Sequence, residues 1–190
     1  MACRLTGLVA GVDEAGRGPI AGPVVASCVL WRGCPAPFPA IKDSKLLTAK
    51  QRERFFLWIM RHALKVGIGI ATPEEVDSLN VRNASILSMR RAVSAIQVEP
   101  DLLIIDGREG ICLFPRERCV VKGDRKCFFV ATASIVAKVV RDRIMDYYHT
   151  VYPCYDFKRH KGYKTALHVE ALRRLGPSPI HRKSFRLYDG

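Results

Sequence analysis

The chain of 190 residues has no cysteine pair at C-x-x-C spacing and no histidine pair at H-x-x-x-H spacing. Its seven cysteines, at positions 3, 28, 34, 112, 119, 127 and 154, are odd in number and scattered. That excludes a zinc knuckle and a disulfide framework and leaves reduced, mostly buried thiols as the expectation. Apolar runs long enough to cross a bilayer are also missing, so no membrane association is expected. The stretch 5–12 is too short for a signal peptide and is cut off at once by Asp13 and Glu14. The expected compartment is the cytoplasm. Repeats and low-complexity linkers are absent, and the length suits one domain or one domain with a small appendage.

Negative charge is the other scarcity. Eighteen Asp and Glu face 31 Lys and Arg, a net charge of +13. The excess is uneven: residues 116–190 hold 17 basic and 7 acidic side chains, whereas residues 1–115 hold 14 and 11. A basic second half suits a phosphate backbone, because each phosphate contact releases a condensed counterion. A solvated surface kept for solubility has the same composition, so charge alone favours nucleic acid only modestly.

What is present alternates in period. Residues 8–12 and 24–30 read as two apolar strands joined by a Gly/Pro-rich loop, close enough to pair antiparallel. Thr48 with Gln51 opens a helix to about residue 64. Residues 66–71 form a strand, and Thr72, Pro73 and Glu75 start a short helix followed by a longer one carrying Ile86, Met89, Val93 and Ile96. Strands follow at 102–105 and 119–121, then a long helix over about 128–148. Thr165 caps a last helix, stopped by Gly176 and Pro177. The pattern predicts an α/β fold with a mixed sheet flanked by helices on both faces. Residues 1–164 are expected to form the main domain and 165–190 a small C-terminal helical extension.

Four acids stand out by position. Asp13 and Asp106 each end an apolar strand, and sites in open α/β sheets gather beyond the carboxyl ends of strands. Glu14 follows Asp13; neighbouring side chains on a strand point to opposite faces, so both reach one site only if the backbone leaves β geometry there. Asp124 sits in Lys122-Gly123-Asp124, just before the long helix, where a carboxylate is also stabilised by the helix dipole. Singly, each is more readily a cap or a solvent-facing group than a ligand. Converging oxygen donors without His or Cys would suit Mg²⁺ or Mn²⁺. Two such ions activate water and stabilise the leaving oxygen in phosphodiester cleavage.

The block Val12-Asp13-Glu14-Ala15-Gly16-Arg17-Gly18-Pro19, continuing to Gly22-Pro23, resembles the N-terminal signature of ribonuclease HII. Further blocks agree in order: Asp43-Ser44-Lys45, Ile105-Asp106-Gly107, Lys122-Gly123-Asp124, Ala133-Ser134-Ile135 with Ala137-Lys138-Val139 and Arg141-Asp142, His160-Lys161-Gly162-Tyr163, and His181-Arg182-Lys183-Ser184-Phe185. The resemblance spans residues 10 to 186. It implies a ribonuclease H-like fold and a metal-dependent endoribonuclease. Asp13, Glu14, Asp106 and Asp124 would be its catalytic, metal-holding acids. The implied substrates are RNA/DNA hybrids and DNA duplexes containing ribonucleotides, with a nick 5′ of the ribonucleotide that leaves 3′-hydroxyl and 5′-phosphate ends. A monomer is expected. Leu46 stands where the family has a second lysine, and the bulky Phe128, Phe129 and Val130 open the long helix. The extra N-terminal domain of the related ribonuclease HIII is not expected, which weakens that relative as an alternative.

Other residues fit that reading. Gly16, Arg17 and Gly18 let backbone groups approach a sugar, with Arg17 able to fork a phosphate; a tight turn needing φ > 0 is the plain alternative. Tyr163 can stack on a sugar or base, which the resemblance places at the RNA–DNA junction, or it is a core tyrosine. Lys45, Lys122 and Lys138 are candidate phosphate contacts, and Ser134 bonds phosphate or packs in its helix. Most of the remaining Lys and Arg read as solvated charge. Arg182 and Lys183 either touch duplex backbone or lie in a tail packed through Phe185. His160, His168 and His181 are dispersed. A non-catalytic nucleic-acid-binding module on the same fold is the competing class, and the presence of all four acids argues against it.

Overall fold

The computed structural model describes residues 7–34 and 47–188. Strand β1 (Leu8–Ala15) pairs antiparallel with β2 (Val24–Arg32), which pairs antiparallel with β3 (Lys65–Ala71). On its other side β1 runs parallel to β4 (Leu102–Asp106), and β4 parallel to β5 (Glu117–Val120). The sheet order is β3-β2-β1-β4-β5, the mixed sheet that the sequence predicts. β2 is buried at every position but its last, as befits a strand covered on both faces.

Strand alternation sends two apolar sets to opposite sides. Val9, Val29, Trp31 and Ile104 pack against Phe129, Val130 and Val136 of α4 (Phe128–Val151) and Phe56 and Ile59 of α1 (Ala49–His62). Ala10, Val12, Cys28, Leu30 and Ile105 pack against Met89 and Val93 of α2 (Pro73–Ala95) and against Ile96. Glycine lets the helices close in. A Cβ on Gly11 would stand 2.0 Å from the Phe129 carbonyl oxygen, and one on Gly69 2.0 Å from that of Ser88. Ser27 Oγ donates to the Ala133 carbonyl at 2.7 Å and fixes α4 along β2.

The helix starts follow their caps. Thr48 and Gln51 bond reciprocally at α1, as do Thr72 and Glu75 at α2. The expected short and long helices meet at a kink at Asn80, where φ is 66°. The Asn80 carboxamide then accepts from the amides of Arg82 and Asn83 and caps the second part. A separate single turn, α3 (Gly123–Lys126), precedes α4, so Asp124 lies on its own turn instead of capping the long helix.

After α4 come a 3-10 turn at Pro153–Tyr155, the single turn α5 (Phe157–His160), and α6 (Ala166–Leu175), capped by Thr165 and ended at Gly176 with φ 73°. Leu172 and Ala171 of α6 join Phe157, Tyr155, Met145, Ile20 and Ile180 in a third cluster. The tail beyond α6 therefore packs on the loop after β1: the Gly22 amide donates to the Ile180 carbonyl at 2.8 Å and the Arg182 amide to that of Ile20 at 2.9 Å.

Among the described residues no helix is long and apolar enough to cross a membrane. The expectation of mostly buried cysteines is corrected. Of the described cysteines only Cys28 is buried; Cys34, Cys119 and Cys127 are half-buried, and Cys112 and Cys154 exposed. Cys28 alone sits in the doubly covered strand, while the others occupy loops, helix starts and the edge strand.

Candidate active site

Parallel pairing sets Val12 beside Ile105, so Asp13 and Asp106 leave their strands as neighbours. Both fall on the α4 face by alternation. Glu14 does not require an early end to β1. The strand stays paired through Ala15, with Glu14 opposite Ala26, and Glu14 leaves on the α2 face. It reaches the common site because the sheet ends here. Asp13, Glu14 and Asp106 all line one cleft of about 410 Å³, together with Gly16, Arg17, Gly18, Ser134, Lys138 and Tyr163. Asp106 Oδ1 accepts from the Gly123 amide at 2.7 Å, which brings the following residue, buried Asp124, to the same end of the sheet. Asp124, Glu14, Asp106 and Lys122 line an adjoining cleft of about 500 Å³. Glu14 and Asp106 are common to both, so the four acids form one seam along the two clefts.

Burial and mutual repulsion both act on the acids of the seam. Burial, then Glu14, then Asp106 push the Asp13 carboxyl well above its ordinary value, against the Ser134 hydroxyl and the Glu14 amide that bond it. Burial also raises Glu14, Asp106 adds to the rise, and Arg17 opposes it. Arg17 Nη1 donates to Glu14 Oε1 at 3.3 Å, while Oε2 is buried with no hydrogen-bond partner. A buried carboxylate oxygen left unpaired is costly unless something else coordinates it. The donor set is all oxygen, and its charges repel, so a hard divalent cation fits. Among the described residues no three or more His, Cys, Asp or Glu side chains are already gathered closely enough to hold a metal ion by themselves. An open seam matches an ion that keeps waters and shares its sphere with a substrate phosphate.

Gly16 and Gly18 differ in what requires them. Gly16 has φ +100°, and a Cβ there would meet the Arg141 side chain at 2.1 Å, so the turn itself demands glycine. A Cβ on Gly18 would touch only Tyr163, at 3.8 Å, and its φ is ordinary. Nothing in the fold demands glycine at 18; its missing side chain leaves space facing Tyr163. Tyr163 is 46% exposed, which sets aside the core-tyrosine reading. Ser134 bonds Asp13, and Lys138 Nζ donates to Asp142 Oδ1 at 2.6 Å on the same wall. Lys122 is exposed, at the rim of the wider cleft. Lys45 lies outside the described residues.

Three groups escaped the sequence reading. Arg52 of α1 lines the narrower cleft beside Lys138. Arg141, left among solvated charges, and Arg182, left between a duplex contact and a packed tail, are fully buried. Arg141 donates to the carbonyls of Pro23, Ala21 and Lys161. Arg182 donates to those of Gly22, Arg17, Pro19 and Gly16, at 2.6–3.1 Å. Both serve the loop after β1 from behind; the Pro- and Gly-rich loop, short of side-chain acceptors, was the available hint.

The dispersed histidines converge too. His160 and His168 stack at 4.1 Å between ring centroids, and His168 Nε2 lies 2.9 Å from His181 Nε2. The Ser178 amide donates to His181 Nδ1, so His181 carries its proton on Nε2 and donates to His168. His168 then carries its proton on Nδ1 and donates to the Tyr163 carbonyl at 2.9 Å. All three are neutral in this chain. Burial lowers His160 and takes His168 and His181 each down to about 4.

A mixed sheet ending in a carboxylate seam, with helices on both faces, defines the class: a ribonuclease H-like fold. The fold of ribonuclease H2 from Pyrococcus horikoshii OT3 superposes with a TM-score of 0.77 at 25% identity, covering 95% of this chain and 94% of that one. Ribonuclease HIII of Bst, solved in complex with Mn²⁺, superposes at 0.65 over 90% of this chain and 63% of that one, at 21% identity, a likeness of fold alone. In sequence, the ribonuclease HII family model matches residues 10–188. The ribonuclease HII of Pseudothermotoga lettingae is 50% identical over 179 residues, 94% of this chain and 77% of that protein. That of Bacillus licheniformis is 46% identical over 177 residues, 93% and 69%. The chain belongs to the ribonuclease HII family. It is accordingly a metal-dependent endoribonuclease with ribonuclease H activity on RNA/DNA hybrids.

Proposed function

We propose that this enzyme nicks duplex DNA 5′ of a single embedded ribonucleotide, besides cutting hybrids, and that two Mg²⁺ or Mn²⁺ ions on Asp13, Glu14, Asp106 and Asp124 serve the reaction. The observation that carries the reading is the buried, unpartnered Oε2 of Glu14 in a seam whose acids repel one another, opening directly onto Gly18 and Tyr163. When bound, the ions supply an activated water and stabilisation of the leaving oxygen, giving 3′-hydroxyl and 5′-phosphate ends.

The protein's own residues prepare that step. Ser134 and the Glu14 amide orient Asp13, and the Gly123 amide orients Asp106. The backbone at Gly16–Gly18 meets the ribose at the space that Gly18 leaves, sensing the 2′-hydroxyl that separates RNA from DNA. Tyr163 stacks on the next sugar and reads the junction. Lys138, Lys122, Arg17 and Lys45 take backbone phosphates. Residues 1–164 serve as the catalytic domain with 165–190 as an extension packed on it, and the enzyme acts in the cytoplasm as a monomer, in removal of ribonucleotides from DNA.

The test is incubation with a DNA duplex holding one ribonucleotide, with Mg²⁺, with Mn²⁺ and with chelator. A single metal-dependent nick 5′ of the ribonucleotide is expected. Cleavage of long hybrids alone, or a nick on the 3′ side, refutes the reading.

A further inference from the structure

We infer that residues 180–182 and the histidines they meet form one brace behind both sugar-reading elements, with Arg182 and His181 acting as positioning residues for the Gly16–Gly18 loop and for Tyr163. The inference rests on the reading that these two elements face the ribonucleotide and its neighbour.

The loop side is fixed by one guanidinium. Arg182 spends its donors on four backbone carbonyls of a single loop: Gly22 at 2.9 Å, Arg17 at 3.1 Å, Pro19 at 2.7 Å and Gly16 at 2.6 Å. None of these acceptors is a carboxylate, although the side chain is fully buried. Burying a charge for packing alone is expensive, and an apolar side chain would fill the space at lower cost. What the guanidinium adds is direction. A trans peptide is planar, so its N–H points opposite to its C=O. Drawing the Gly16 and Arg17 carbonyls onto Arg182 turns the N–H groups of Arg17 and Gly18 the other way. Those are the donors a 2′-hydroxyl or its phosphate would meet. Lysine, with one charged nitrogen, cannot span four carbonyls in a fork.

The tyrosine side is fixed by the residue before. The His181 backbone bridges to Ala21 of the loop. Its ring passes one directed run of hydrogen bonds from Ser178 through His168 to the carbonyl of Tyr163. His160 receives the Gly162 amide at 3.2 Å and donates to the Tyr155 carbonyl at 2.7 Å, holding the residue before Tyr163. A Cβ on Gly162 would stand 2.4 Å from the Ala21 carbonyl oxygen, so the tyrosine's segment lies directly against the loop. Adjacent residues of one short segment thus set the loop and the ring relative to each other.

The experiment compares Arg182→Lys and His181→Gln with the parent enzyme on two substrates, a DNA duplex with one ribonucleotide and a continuous RNA/DNA hybrid. Amide hydrogen exchange is measured on the same proteins without substrate. His181→Gln should lower kcat/KM on the single-ribonucleotide duplex roughly tenfold more than on the hybrid, since an ångström-scale misplacement suffices for that. In a Tyr163→Ala background the extra loss should vanish, because His181 acts through that ring. Arg182→Lys should speed exchange at Ile20 and Gly22, whose amides donate to the Gly162 and Ile180 carbonyls, about tenfold or more while the amides of β1 and β2 keep their protection. Equal losses on both substrates, losses that multiply in the double variant, or unchanged exchange at Ile20 and Gly22 would overturn the brace. If Arg182→Lys does not fold, His181→Gln with its double variant decides alone. If the parent fails to nick the single-ribonucleotide duplex, the functional reading falls, while the exchange data still judge the brace.

Discussion

Asp13 carries the sharpest consequence at the scale of single residues. Asp13→Asn keeps the shape of the seam and removes one oxygen ligand's charge, so cleavage should fall by about 10³-fold or more, the effect of several kcal/mol of transition-state stabilisation. Duplex affinity should stay close to the parent's. Gel-shift titration beside single-turnover cleavage checks both; retained cleavage would remove Asp13 from the metal set. The same change should raise the melting point of the metal-free protein, because the native carboxyl, pushed up by burial and by Glu14 and Asp106, favours its neutral form. Gly18→Ala separates fold from function. A Cβ there meets only Tyr163, at 3.8 Å. Its melting point should therefore stay within about 2 °C of the parent's, as for a surface change. KM for hybrid should nonetheless rise several-fold; an unchanged KM would mean that no substrate enters beside Gly18. The strand-end positions of Asp13 and Asp106 were legible in the sequence because an apolar run stops at each and glycine follows closely. The buried roles of Arg141 and Arg182 were not, since a basic side chain bonded to carbonyls has no local signature. Their partners in the loop after β1 lie about 120 to 165 residues away.

Elements make the second scale, and here the sequence spoke through caps and periods. Thr48, Thr72 and Thr165 marked helix starts that the structure keeps, because a cap is a contact within four residues. β1 was read as ending at Val12, yet it pairs to Ala15: a charged pair ends an apolar run but leaves the ladder intact. The glycines under the helices were equally silent. Gly11→Ala would press a methyl to 2.0 Å from the Phe129 carbonyl and force α4 away from β1. A loss of about 1–3 kcal/mol is expected, read as a drop of several degrees in the melting point. The histidine run makes a second prediction. His168 and His181 titrate near 4 when folded, because burial disfavours their charge, and near 6.5 when unfolded. Their contribution to stability is complete above about pH 6.5 and is lost as pH falls toward 4, with uptake approaching two protons on unfolding. Melting points across that range should fall with acid, and His168→Gln should flatten the slope; an equally steep slope in the variant would refute the assignment.

At the scale of the molecule, the fold class followed from the order of strands and helices, while the union of the site did not. Only the parallel register of β1 and β4 brings Asp13 to Asp106, and register between strands about ninety residues apart is not written in either one. The net charge of +13 bears on binding. Affinity for hybrid should fall steeply with salt, with a log–log slope corresponding to several released counterions. A flat response in fluorescence titrations from low to moderate salt would contradict an interface dominated by phosphate.

The docking of residues 180–182 on the loop after β1 also bears on when the protein becomes competent during its synthesis. Residues 16–22 emerge from the ribosome early, yet the guanidinium that aligns their carbonyls is made more than 150 residues later. A nascent chain halted before Arg182 lacks the guanidinium that bonds the carbonyls of this loop. On the function and the brace proposed above, discrimination of the ribonucleotide is thus the last property the growing chain acquires.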